Sequence, residues 1–244
     1  MNTPAMTSVS PPPVPARSAR LVPVLLSMSF TVVVQTLSMS AFVPVPVAML
    51  IGLGWGVAIG LAAAWIAGKA RASAWCEDVL VVLGAVAMAA LAFGGGVGLL
   101  LLGTALDSSS LTGETLVLMF LPSIPIAIAS NTPIELFAVP ALLILGWREG
   151  RRRALIVAAS ALFLIHRVWT QLVFAADRLD FAAMEQSTTP LTETERRQIA
   201  TDLQIEDPRW ILNLVVFALF LLAAQFSRVR ELQAATTSPG PDGQ

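Results

Sequence analysis

Residues 131–171 read NTPIELFAVPALLILGWREGRRRALIVAASALFLIHRVWTQ. These are two apolar runs joined by the turn Arg148-Glu149-Gly150-Arg151-Arg152-Arg153. Each run has a length within the range of about 17–25 residues that crosses a hydrocarbon core as a helix. The turn carries four Arg, and short loops rich in Arg and Lys stay on the cytoplasmic side. The hairpin therefore has an orientation, and the rest of the chain can be placed from it. Inside its two runs, otherwise almost free of charge, sit Asn131, Glu135, His166 and Arg167.

Composition agrees with a membrane setting. Hydrophobic residues make up 56% of the 244, charged residues 13%, and the mean hydropathy is +0.76. A soluble domain carries about 25% charged residues. The net charge of −1 gives no basic surface for nucleic acid, and basic and acidic residues are sorted into different loops. One Cys (Cys76) and one His cannot build the usual Cys/His zinc sites or an internal disulfide.

Outward from the hairpin, the expected architecture is all-α: an integral membrane bundle of six transmembrane helices forming a single domain over 21–228. The apolar stretch 21–68 is too long for one crossing and divides at Pro44-Val45-Pro46, giving spans at about 21–42 and 47–68. The first could instead be a cleaved signal peptide, with Arg17 and Arg20 ahead of it and the small residues Ser38, Ser40 and Ala41 behind. Its length argues against that. The second span repeats Gly52, Gly56 and Gly60 at four-residue spacing, a face for close helix packing or for a membrane-protein partner.

The third span, 79–104, has no ionisable side chain, and its Gly94-Gly95-Gly96-Val97-Gly98 patch lacks the strand-then-helix context of a phosphate loop. Residues 116–147 are interrupted by Pro122, Pro125, Pro133 and Pro140. Two crossings there would put the Arg-rich turn outside, so the expectation is a Pro-broken or re-entrant segment followed by a fourth span at 131–147. The fifth span is 153–176.

The stretch 177–208 holds eight acids against three Arg, and is expected as an extracytoplasmic loop. Within it, Thr192-Glu193-Thr194-Glu195 has the capping-box pattern that starts a short helix at 193–204. Asp207 and Pro208 then open the sixth span, 209–227, as N-cap and first helical residue. Residues 1–20 and 229–244 are expected as disordered tails. Six spans place Arg17, Arg20, Lys69, Arg71, the 148–153 turn, Arg228 and Arg230 on one side. Both termini are then cytoplasmic, and the expected location is the plasma (inner) membrane.

Counting at about 1.5 Å per residue from the cytoplasmic turns puts Glu135 and Arg167 both about 20 Å up, on antiparallel neighbours. Gln35 and Asn213 come out at about 22 Å by the same count. A lone charge at this depth costs roughly 2.5–3.5 kcal/mol, so Glu135 and Arg167 should pair inside the bundle. His166 is their neighbour, and Thr170 lies one turn along on its face.

The expected site is therefore a pocket in the outer half of the bilayer. His166, Glu135 and Arg167 would be its acid/base and charge-stabilising groups, with Gln35, Asn131, Trp169, Thr170, Trp210 and Asn213 lining it. Its ligand would be a small apolar or lipid-like molecule. Other readings of the same residues are a proton or anion relay in a transporter, a helix-packing layer, and a non-catalytic subunit. No cofactor or metal is expected, since no His-Glu-x-x-His, Gly-x-Ser-x-Gly or Walker pattern occurs.

Overall fold

The computed structural model describes residues 17–40, 42–148, 150–174, 187–202 and 209–237. The expectations for 1–16, for Asp177, Asp180 and Glu185, for the Asp207-Pro208 helix start and for 238–244 lie outside the described residues.

The chain forms α1 (Arg17–Met39), α2 (Val45–Ala67), α3 (Ala70–Leu106), α4 (Gly113–Phe120), α5 (Ser123–Pro133), α6 (Val139–Leu145), α7 (Arg151–Trp169), α8 (Glu193–Asp202), α9 (Arg209–Ala224) and α10 (Arg228–Thr237). Among the described residues two π-helical turns interrupt it, Ile134–Ala138 between α5 and α6 and Thr170–Phe174 after α7. Among the same residues six segments are long and apolar enough to cross a membrane: Leu21–Met39, Val45–Ala67, Ala70–Leu106, Gly113–Leu145, Arg151–Leu172 and Arg209–Ala234.

Packing follows the small residues. A Cβ on Gly52 would stand 3.0 Å from the Val32 Cα, and one on Gly56 3.5 Å from the Met28 Cα. The glycine face of α2 is thus used within the chain, against α1. Gly84 does the same for α3, where a Cβ would meet the Phe220 ring of α9 at 3.1 Å. Around these contacts Phe30, Val34, Val81, Met88, Ile134, Leu142, Phe163, Val216 and Phe220 form the main core. Large apolar residues such as Leu50, Leu61, Trp65, Val86 and Leu100 face outward, as expected where lipid replaces water as solvent.

The fourth crossing is broken, as its prolines require. Pro140 has no N–H, so the carbonyl of Leu136 loses its helical donor. Trp55 of α2 donates its Nε1–H to that carbonyl at 2.9 Å, and Ser27 of α1 donates to the Pro140 carbonyl at 2.8 Å. The widened turn Ile134–Ala138 is held from both sides, and Glu135 lies in it.

Four boundaries differ from expectation. The fourth apolar segment runs over Gly113–Leu145 rather than beginning at 131, and its π-turn lies inside it rather than ahead of it, because α5 continues through Asn131 to Pro133. The third helix begins at Ala70 rather than 79. Nothing in 70–78 breaks a helix, and Glu77 and Asp78 are carried there because Arg152 meets them at 2.8 and 2.7 Å. The C-terminal stretch, expected as a tail from 229, forms α10 over Arg228–Thr237. Asp78 accepts from the Ser227 hydroxyl and from the Arg228 and Val229 N–H groups, capping that helix across the fold. At the N-terminal end, α1 already starts at Arg17.

At the opposite end of the bundle, α8 starts with the expected box. Thr192 accepts from the Glu195 N–H at 3.3 Å, and its own N–H and hydroxyl donate to the Glu195 carboxylate at 2.7 Å. Those bonds hold the Glu195 carboxyl below the usual carboxylate range. Leu191, Ile199 and Ala200 pack on Leu106, Leu111, Leu116 and Val117, a second small core that anchors this segment to the ends of α3 and α4.

Candidate functional site

The site is built from the outer ends of α7 and α9, the Ile134–Ala138 turn and the glycine-rich stretch of α3, where "outer" means opposite the Arg-rich turn. Arg167 Nε meets Glu135 Oε1 at 2.5 Å. The Arg167 Nη2 donates to the Ser38 hydroxyl at 2.8 Å, and that hydroxyl donates to Glu135 Oε2 at 3.2 Å. Three crossings are thereby tied by one closed triangle, in which both charges have an opposite charge and a hydroxyl. Ser38 of α1 is a residue that sequence reasoning saw only as part of a cleavage-site pattern.

A second set of contacts starts at His166, which is buried beside the Phe163 ring. Its Nε2 lies 3.5 Å from the Thr170 hydroxyl oxygen, as the i+4 spacing predicts. Arg209 Nη1 donates to the same oxygen at 3.3 Å. Arg209, at the first turn of α9, was not singled out from the sequence.

These groups border a cavity of about 520 Å³, within the range of about 300–1,000 Å³ usual for small-molecule sites. One wall is polar: Asn131, His166, Arg167, Thr170, Arg209, Trp210 and Asn213. The other is apolar, made by Gly94, Gly98, Leu99, Leu102, Leu118, Met119 and Ile126. The missing side chains of α3 create much of the space. A Cβ on Gly94 or Gly98 would have no atom within 4 Å, while Gly95 and Gly96 lie against Trp210.

Of the nine residues expected at the site, Asn131, His166, Arg167, Thr170, Trp210 and Asn213 line this cavity. Glu135 does not line it and instead pairs with Arg167 from behind. Gln35 is buried in the interface of α1 with Gly52 of α2. Trp169 is 39% exposed and outside the lining. The depth count placed Gln35 in the layer by height alone, and height carries no information about which way a helix face points.

Some polar atoms of the cavity residues have no hydrogen-bond partner: Asn131 Oδ1, His166 Nδ1 and Asn213 Oδ1. The Asn131 amide is oriented by its own donation to the Ala127 carbonyl at 2.8 Å. Buried polar atoms left unpaired are costly, and these three are enclosed within the wall rather than open to the cavity. Among the described residues, no three of His, Cys, Asp and Glu come together as metal donors would. No protein-family model matches the chain, and no curated protein or solved structure is found similar to it.

Proposed function

We propose that this chain is a polytopic plasma-membrane protein that binds a small apolar or lipid-like molecule in the outer half of the bilayer, where His166 serves proton transfer. The observation that carries this reading is the cavity itself, a space of about 520 Å³ with one apolar and one hydrogen-bonding wall. His166 and Arg167 both line it, so an imidazole and a guanidinium lie within reach of one bound molecule. Glu135 supports the site by balancing Arg167. Orientation rests on the cluster of Arg148, Arg151, Arg152, Arg153 and Arg228 at the other end, which the positive-inside rule assigns to the cytoplasm.

The test is extraction and mass spectrometry of small molecules retained by the purified protein, compared with Gly98→Leu, which fills the apolar wall. A bound amphiphile present in the native protein and lost from the folded variant is the expected result. The same molecules at the same stoichiometry in both would sink the reading. For turnover, His166→Gln should abolish conversion of the retained molecule while leaving it bound.

One observation favours a second reading. The fourth crossing is interrupted by a π-turn that holds Glu135 against Arg167, and interrupted crossings recur in transporters. Proton or solute flux in proteoliposomes, lost in Glu135→Gln, would support a relay. Absence of flux together with retained ligand binding would dismiss it.

A further inference from the structure

We infer that the cavity takes a single-chain amphiphile with an anionic oxygen head, a carboxylate or a phosphate monoester, laid with the head against Arg167 and the chain along Gly94 and Gly98. The inference rests on the reading of the cavity as a ligand site and adds the chemistry of the ligand.

The guanidinium of Arg167 is held in one pose. Its Nε faces Glu135 and its Nη2 faces Ser38, which leaves Nη1 outside the triangle on a side chain that lines the cavity. A guanidinium fixed on two sides presents its remaining edge without further loss of side-chain entropy, and that edge suits an oxygen anion. The donors of the lining point the same way. Arg167, Arg209 and His166 border the space, and among the described residues no Asp or Glu does. Asn213 adds an amide on the same wall. Arg167 is already balanced in charge by Glu135, so the selection is by hydrogen bonding. Guanidinium groups only donate, and an ammonium head, itself only a donor, finds no acceptor on them, whereas an oxygen anion finds donors there.

The opposite wall specifies the rest of the molecule. Gly94 and Gly98 stand one helical turn apart on α3, and a Cβ at either would meet nothing within 4 Å. Leu99, Leu102, Leu118 and Ile126 flank this groove. It offers contact to a flexible hydrocarbon chain and no partner for a polar one. The volume is that of one small-molecule ligand rather than of a complete two-chain lipid.

The experiment is native mass spectrometry in a nonionic detergent, titrating the purified full-length chain with palmitate, hexadecyl phosphate and hexadecanol. We expect at least one of the two anions to bind about tenfold or more tightly than the alcohol, the fold-change that one charge-assisted hydrogen bond is worth. Whichever anion it is identifies the head, carboxylate or phosphate. Gly98→Leu should weaken all three. The double variant Glu135→Gln/Arg167→Gln leaves no charge buried alone and should keep hexadecanol while losing the preference for anions. Arg167→Lys, which retains the charge beside Glu135 but not the planar fork, is the second variant and should show a reduced preference. If hexadecanol binds as tightly as both anions and Gly98→Leu weakens it, the head-group inference is overturned while the cavity remains a ligand site. If Gly98→Leu binds all three probes as the native chain does, both are overturned.

Discussion

At the scale of single residues, buried charge dominates the behaviour of this chain. Arg152 is almost wholly buried, meets Glu77 and Asp78, and donates to the Phe226 carbonyl. Replacing it by Leu leaves the buried Glu77 carboxylate only Arg228 at 3.7 Å, while Asp78 keeps its donors at the start of α10. Breaking a buried pair from one side typically costs about 3–5 kcal/mol. A marked fall in the detergent-phase unfolding temperature of Arg152→Leu is the expected outcome. Arg228→Ala should cost less, because Arg228 lies 3.7 Å from Glu77 and its other ion pair, with Glu231, is exposed. Equal losses in the two variants would contradict the ranking. The Glu135–Arg167 pair was legible in the sequence because each charge is expensive alone at that depth. Ser38 was not, since a hydroxyl in a membrane helix is cheap. Thr31, Thr104 and Ser160 satisfy theirs on the carbonyl four residues back, and nothing in the sequence separates Ser38 from them.

At the scale of elements, the backbone approach of α1 and α2 depends on one glycine more than on its repeat. Gly52→Ala places a methyl group 3.0 Å from the Val32 Cα and should cost about 1–3 kcal/mol by forcing the helices apart. Gly60→Ala meets nothing within 4 Å and should leave unfolding unchanged or slightly improved. Parallel thermal unfolding of the two variants checks this, and an equal response would show that spacing rather than contact matters.

The surface helix α8 carries its own pH dependence. The folded Glu195 carboxyl lies below its ordinary value because Thr192 donates to it twice. A depressed carboxyl contributes stability that is fully present above the unfolded pKa and is lost as pH falls through the folded value. Hydrogen exchange of the amides of 195–199, corrected for intrinsic rates, should therefore show α8 fraying under acid. The Glu195→Ala variant, which has no acceptor for the Thr192 donors, should be frayed already at neutral pH and insensitive to further acid. The box was readable from four letters because its bonds are local. The rescue of the Leu136 carbonyl by Trp55 was not, because its partners are 81 residues apart.

At the scale of the whole molecule, the decisive quantity is which end faces the cytoplasm. In a Cys76→Ser background, Arg151→Cys should react with a membrane-impermeant maleimide only after the membrane is opened, and Ser109→Cys should react in intact cells. Both positions are exposed and lie at opposite ends of the bundle. The reverse pattern would invert the topology and move the proposed cavity to the cytoplasmic half.

The sequence by itself determined the class of this protein, since six apolar stretches of crossing length, sorted charges and a capping box are all properties of neighbouring residues. It also determined that Glu135 and Arg167 would meet, because two charges on helices joined by a tight turn have few other ways to be neutralised. Only the tertiary structure decided the shape of the site. The residues read as one layer separate into a closed triangle with Ser38, a cavity wall with Arg209 and Asn213, and Gln35 apart between α1 and α2. The residues opening the space are glycines on α3, which carry no signal of chemistry in a sequence. Depth along a helix follows from residue number at a fixed rise, whereas facing depends on how each helix is rotated by what it packs against, and that is settled by contacts between residues far apart in the chain.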